Sequence, residues 1–292
     1  MGNKDTSFSG KYLIHCRATF MDLSVPRIMG IVNVTPDSFY EGSQTMQEEA
    51  VMKQADRMVC EGVDIVDVGG YSSRPGAEHI SQQEELSRLL PALEKIRAAY
   101  PDLILSVDTF RPEVARIVVE DYDVDIINDI SAGEMGPSMF ETIADLNVPY
   151  IMMHMKGTPQ NMKEKAHYQE MMKEITRYFS ARVDGLRRLG VKDIILDPGF
   201  GFGKTIDHNY QLLSRLEELK IFGLPLMVGL SRKSMIYKVL NVSPDQALNG
   251  TTVLNTLALE RGANLLRVHD VKQAREIITL KDKMERSAGS VE

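Results

Sequence analysis

The sequence predicts an α/β protein, a single (β/α)8 barrel of the TIM type preceded by a short β-hairpin. Three observations lead there. Short apolar runs alternate with amphipathic helical stretches along most of the chain, which is the pattern of parallel strands joined by crossover helices. After a short lead the runs number eight, and 292 residues suit one such barrel with modest additions. Each run also ends in polar or charged residues that do not belong in a core. The expected organisation is a lead and hairpin over residues 1–26, a barrel over 27–286 and a tail over 287–292.

Taken in order, the hairpin is read from two β-like runs at 12–16 and 19–22. The barrel strands are read at 27–34, 63–69, 103–108, 125–130, 150–155, 193–197, 226–230 and 265–268. Between them, apolar residues recurring at threes and fours predict helices over 47–61, 82–100, 113–120, 167–189 and 209–219. A shorter helix is expected over 234–240, and Asn249 is expected to cap another that runs to Glu260. Leu254, Leu257, Ala258, Arg261 and Ala263 give that last helix a face for the barrel or for another subunit.

Hydrophobic residues make up 43% of the chain and charged ones 26%, enough apolar material for a core without forcing disorder. The net charge of -7 argues against a nucleic-acid binder, which normally presents a basic face, so any anion site must be focused. Cys16 and Cys60 are far apart and lack CxxC spacing, which suits a reducing cytosol. The six histidines form no HExxH pair. No run is long enough to span a membrane and Met1 to Gly10 lacks the apolar centre of a signal peptide. The segment beginning Met1-Gly2 nominally matches a myristoylation pattern, but one so short recurs by chance.

The strand ends carry the functional signal. They are Asn33, Asp67 with Gly69-Gly70, Asp108-Thr109, Asn128-Asp129, His154, Asp197, Ser231-Arg232-Lys233 and Arg267-Val268-His269-Asp270. In a barrel of this type the C-terminal strand ends form one mouth, so residues scattered over the sequence converge there. Any one Asp, Asn or Ser after a strand could simply cap the next helix; eight such ends together make that explanation improbable. The stretch from Asp197 to Thr205 imitates a phosphate-binding P-loop, yet only three residues separate Gly199 from Gly203 where that motif needs four. It reads instead as a strand-end carboxylate beside a glycine turn bearing Phe200 and Phe202. Two further loops look built for ligands: Asn33 to Phe39 with the polar stretch after it, which suggests a lid, and Gly69 to Ala77, rich in glycine and carrying Arg74.

These segments, collinear from about Arg27 to His269, resemble the dihydropteroate synthases; the pairing of Asn-Val-Thr-Pro-Asp-Ser-Phe with Asp-Pro-Gly-Phe-Gly-Phe-Gly-Lys is the specific part. The resemblance implies a barrel enzyme of folate biosynthesis, a transferase and sulfonamide target. It would join a 7,8-dihydropterin-6-ylmethyl diphosphate to p-aminobenzoate, releasing diphosphate. It also implies Mg2+, a homodimer and a cytoplasmic setting, with small-molecule substrates and neither nucleic acid nor membrane as partner.

By resemblance, Asp197 accepts the pterin's 2-amino and N3-H edge, a pairing that a carboxylate makes in bidentate fashion. Asn128 meets the N1 and amino edge, Asp108 sits by the reduced ring, and Lys233 binds O4 and N5. Arg267 and His269, two apart on one strand, are expected at the diphosphate. Asn33 is expected to help hold a diphosphate-bound Mg2+. The p-aminobenzoate is expected against Ser73, Arg74, Pro75 and Phe202, with Ser234 near its carboxylate. Asp108, Lys233, Arg267 and His269 form the expected catalytic set. The second loop departs from the family by reading Tyr71-Ser72-Ser73-Arg74 where Glu-Ser-Thr-Arg is more usual, and Tyr40 to Ser43 departs from Ser-Asp-Gly-Gly. Two competing readings are a pterin-binding methyltransferase domain, which would leave Arg267 and His269 without a diphosphate, and a non-catalytic pterin-binding protein.

Overall fold

A computed structural model describes residues 12–17, 19–35, 44–73 and 79–288. The expectations on the lid loop after Thr35, on Arg74 and Pro75, and on the first residues fall outside this range. An antiparallel hairpin, β1 (Leu13–Cys16) and β2 (Thr19–Asp22), comes first. Then follow β3 (Arg27–Asn33), α1 (Gln44–Cys60), β4 (Ile65–Gly69), α2 (Gln82–Ala99), β5 (Ile104–Asp108), α3 (Pro112–Tyr122), β6 (Ile126–Asp129), α4 (Met139–Leu146), β7 (Tyr150–Met153) and α5 (Met171–Arg188). The chain ends with β8 (Ile194–Asp197), α6 (Ile206–Ser214), β9 (Met227–Val228), α7 (Ser234–Leu240), α8 (Leu248–Glu260), β10 (Leu265–Val268) and α9 (Val271–Ala288).

Strands β3 to β10 form one parallel sheet in the order β8-β7-β6-β5-β4-β3-β10-β9. A parallel bridge between Leu196 and Leu226 joins its two edges, so the barrel closes. Alternation along the strands sends every second residue outward against the helices, as with Val66, Val68, Leu105 and Val107. The inward positions at the strand starts make a separate apolar layer. Met29, Ile65, Ile104, Ile126, Ile151, Ile195, Met227 and Leu265 pack there against Ile14, Cys16, Met21 and Leu23 of the hairpin segment. The hairpin is thus the floor of the barrel. Asn264 fastens it, donating from Nδ2 to the Leu23 carbonyl at 2.8 Å while its Oδ1 accepts from Leu226 N–H at 2.9 Å.

Local chemistry sets the helix ends. Ser81 caps α2 by accepting from the Glu84 N–H at 3.1 Å, and Thr205 does the same for α6 at its His208 N–H, also 3.1 Å. Pro112 opens α3, where its missing N–H is not needed. Several expectations are corrected. Asn249 lies inside α8, whose flanking residue is Ala247; the 3-10 turn Pro244–Gln246 leads straight into the helix. The helix expected over 209–219 is α6 followed by a separate 3-10 stretch, Leu216–Phe222. Strand β9 is only two residues long, and α4 and α9 are not among the helices expected from the sequence.

Candidate active site

Two residues along from the apolar floor, the inward positions of β4, β5, β6, β8 and β10 turn polar. Ile65 gives way to Asp67, Ile104 to Ser106 and then Asp108, Ile126 to Asn128, Ile195 to Asp197, and Leu265 to Arg267. Parallel register sets these strand ends side by side, with Asp67 opposite Ser106 and Asp108 opposite Asn128. The closed sheet brings Arg267 across to β4 and β5. Its guanidinium donates through Nε to Asp67 Oδ2 at 2.7 Å, and through one terminal nitrogen it lies 2.6 Å from Asp67 Oδ2 and 2.9 Å from Asp108 Oδ2.

Asp67 is 0% exposed and also accepts from Asn128 Nδ2 at 3.1 Å. A carboxylate only accepts, so it turns the Asn128 amide nitrogen toward itself and leaves the amide oxygen for another partner. Asp67 Oδ1 and Ser106 Oγ, both buried, have no hydrogen-bond partner in the protein. The sequence showed Asp67 at a strand end but gave it no role; its role depends on a partner 200 positions away.

Burial governs the electrostatics. It pushes the Asp108 carboxyl up to about 7 against the pull of Arg267, with Asp67, Asp129 and Asp197 adding to the rise. Asp197 is also raised by burial, although Lys233 and the Gly199 N–H, which donates to Oδ1 at 2.7 Å, favour its ionised form. Burial works against the charge on Arg267, but Asp67 and Asp108 outweigh it and hold the group above its ordinary value. Lys233 falls to about 8 because burial and Arg267 outweigh Asp197.

On the far side of the mouth, Lys233 donates to the Phe200 carbonyl and stands 4.8 Å from the centre of the Phe202 ring. The lysine expected to meet the pterin and the phenylalanine expected to meet the arylamine are therefore neighbours. Ser234 opens α7 beside them. Lys233 follows Arg232, whose φ of +54° is uncommon for a residue with a side chain. That backbone is held by Thr251 Oγ1, which accepts from Arg232 N–H at 3.0 Å, and by Asp270, which takes two guanidinium bonds of 2.9 Å each.

His269 Nδ1 lies 3.0 Å from Ser231 Oγ, which joins the ends of β9 and β10. Asn33, at the end of β3, lies opposite Gly69 in the sheet, and a side chain at Gly69 would begin 3.5 Å from its Oδ1. The mouth thus gathers Asn33, Asp108, Asn128, Asp197, Lys233, Arg267 and Phe202, with His269 and Ser234 at its edge. Ser73 ends the described part of the second loop; Arg74 and Pro75 lie outside the described residues. In chemical terms the mouth offers carboxylates for an amidine-like edge, an amide oxygen, and cations for an anionic leaving group.

The Pterin binding enzyme family profile matches residues 29–269. The dihydropteroate synthase of Escherichia coli (strain K12) is 43% identical over 266 residues, covering 90% of this chain and 93% of its own length. A Xanthomonas albilineans dihydropteroate synthase structure with 4-aminobenzoic acid superposes with a TM-score of 0.87 at 39% identity, covering 94% of this chain and 98% of that one. A Yersinia pestis dihydropteroate synthase in a sulfonamide drug complex gives 0.86 at 39%, covering 94% and 99%. The chain belongs to the pterin binding enzymes, and among them to the dihydropteroate synthases.

Proposed function

We propose that the site condenses 6-hydroxymethyl-7,8-dihydropterin diphosphate with p-aminobenzoate, giving 7,8-dihydropteroate and diphosphate in folate biosynthesis. The observation that carries this reading is the barrel mouth itself, where Asp197, Asn128 and Asp108 gather with Arg267 and where Lys233 stands between Asp197 and the Phe202 ring.

Asp197 accepts the pterin's paired donors, and the Asn128 amide oxygen, turned away from Asp67, accepts from the amino edge. Lys233 exchanges its Phe200 carbonyl partner for the pterin's O4 and N5. Electron release from the reduced ring favours departure of diphosphate with carbocation character at the exocyclic methylene. Ionised Asp108 lies close enough to the ring to stabilise that cation. Arg267 and His269 meet the negative charge that develops on the leaving group. The arylamine nitrogen then attacks the methylene and loses a proton, so no covalent enzyme intermediate is needed. Phe202 walls the arylamine, with Ser73 and Ser234 near it; Arg74 and Pro75 join this pocket by the family resemblance alone.

Among the described residues, no cluster of three His, Cys, Asp or Glu could hold a metal. The Asn33 amide oxygen is a hard donor at the rim, which fits a Mg2+ held chiefly by the diphosphate and water. Such an ion supplies charge neutralisation to the departing diphosphate. No helix among the described residues is long and apolar enough to cross a membrane, and a cytoplasmic setting is part of this reading. So is a homodimer, supported by exposed Val239 and Leu240 on α7 and Val253 and Leu257 on α8; sedimentation velocity tests it. The activity test is purified protein with both substrates and Mg2+, followed by chromatography for dihydropteroate. Absence of product would falsify the reading, and loss of product with a chelator tests the metal.

A further inference from the structure

One group in the mouth has no part in the chemistry above. Lys204, the residue that made the glycine turn resemble a P-loop, is 9% exposed. Its ammonium is turned to the backbone. It donates to the Gly199 carbonyl at 3.0 Å, to the Phe202 carbonyl at 3.1 Å and, more weakly, to the His154 carbonyl at 3.4 Å; His154 Nδ1 lies 3.0 Å away. Three of these four acceptors are backbone carbonyls, two of them belonging to the turn and one to the segment after β7. A buried ammonium persists only where its donors are met in this way.

The turn is pressed onto the same segment. A side chain at Gly199 would begin 2.0 Å from the His154 carbonyl oxygen, and one at Gly203 would begin 2.8 Å from that of Lys156; both glycines have positive φ, +72° and +59°. Tyr168 adds a bond of 2.9 Å from its hydroxyl to the Gly203 carbonyl. Lys204 therefore sits in the seam between the turn and the end of β7. From there it fixes the peptide that carries the Phe202 ring, 4.8 Å from Lys233.

We propose that Lys204 is a positioning residue for the arylamine: its ammonium clamps the 198–203 turn to the end of β7 and so holds the Phe202 ring where p-aminobenzoate packs. This rests on the synthase reading above and adds to it a residue that touches neither substrate. It separates the two lysines of the mouth, since half-buried Lys233 bonds one carbonyl of the turn and stands against the Phe202 ring, whereas buried Lys204 is enclosed by three backbone carbonyls.

The test is a double-mutant cycle on the full chain with Lys204→Met, Phe202→Ala and both together, reading KM for p-aminobenzoate and the Kd of the pterin diphosphate by calorimetry. Lys204→Met is expected to raise the arylamine KM about tenfold, the effect of losing one charge-assisted hydrogen bond, and to leave pterin diphosphate affinity within about twofold. In the Phe202→Ala background the same substitution is expected to add little, because its effect passes through that ring. An unchanged KM, an equal loss at both substrates, or full additivity with Phe202→Ala overturns the proposal. Should Lys204→Met not fold, Lys204→Gln, which keeps one donor, is expected to show the same pattern in smaller measure, and a flat response there is equally fatal. Wild-type protein making no dihydropteroate sinks the synthase reading itself. Wild-type turnover with an arylamine KM indifferent to Phe202→Ala removes the arylamine pocket, and this proposal with it.

Discussion

The two ends of the barrel are built by the same strands and have opposite characters. At the floor, one inward residue from each of eight strands is apolar and buried, and the hairpin covers the ring they make. Two residues further along, the inward positions hold Asp67, Ser106, Asn128, Asp197 and Arg267, with two buried polar atoms left unpartnered. The floor gains from burial of apolar surface, whereas the mouth holds charges in a place that raises the pKa of its carboxylates. Stability is concentrated at one end of each strand and chemistry at the other.

The difference can be broken from either end. The largest effect is expected from Arg267→Ala, which leaves buried Asp67 and half-buried Asp108 without their cation. Turnover should fall on the order of a thousandfold and stability by about 3–5 kcal/mol, read by initial rates and by denaturant unfolding. At the floor, Ile195→Ala removes a fully buried side chain and should cost about 2–5 kcal/mol in the same unfolding assay while both KM values stay put. A changed KM there would show that the two layers are not separable.

Asp108→Asn sharpens the mouth. It should slow turnover about a hundredfold, as expected for removing one electrostatic stabiliser of the developing cation. In the unsubstituted enzyme the rate should climb as pH rises through about 7, where Asp108 ionises, and that acid limb should vanish in the variant. The sign for folding is the reverse. With its folded pKa raised from 3.8 to about 7, Asp108 contributes stability that is complete below 3.8 and lost as pH rises through about 7. The smallest effect is expected at Phe20, 65% exposed on the outer side of the hairpin, where Phe20→Ser should change stability by no more than about 0.5 kcal/mol in thermal unfolding.

The barrel was legible because its strands announce themselves locally: short apolar runs with polar ends place β2 and β10 as observed and most others within one or two residues. The mouth was legible as a set for the same reason, since Asn33, Asp108, Asn128, Asp197 and Arg267 each lie at or next to the end of their own strand. What could not be read was pairing. That Arg267 is spent on Asp67 and Asp108, that Asp67 orients Asn128, and that Lys204 bonds carbonyls rather than an anion all follow from barrel closure, which brings distant segments together. A local signal also misled. Asn249 looks like a helix cap, but Thr251 Oγ1 bonds back to the Ala247 carbonyl at 2.9 Å and the helix has already begun at Leu248.

The close approach of Gly199 to the His154 carbonyl bears on inhibitors. Resistance to a competitive drug arises when a residue lining its pocket is exchanged for one that repels the drug and still admits the substrate. Gly199 and Gly203 allow no such exchange, because any side chain would strike backbone 2.0 or 2.8 Å away. A compound that draws its affinity from the backbone at Gly199 and Gly203 leans on two positions that the protein cannot exchange singly.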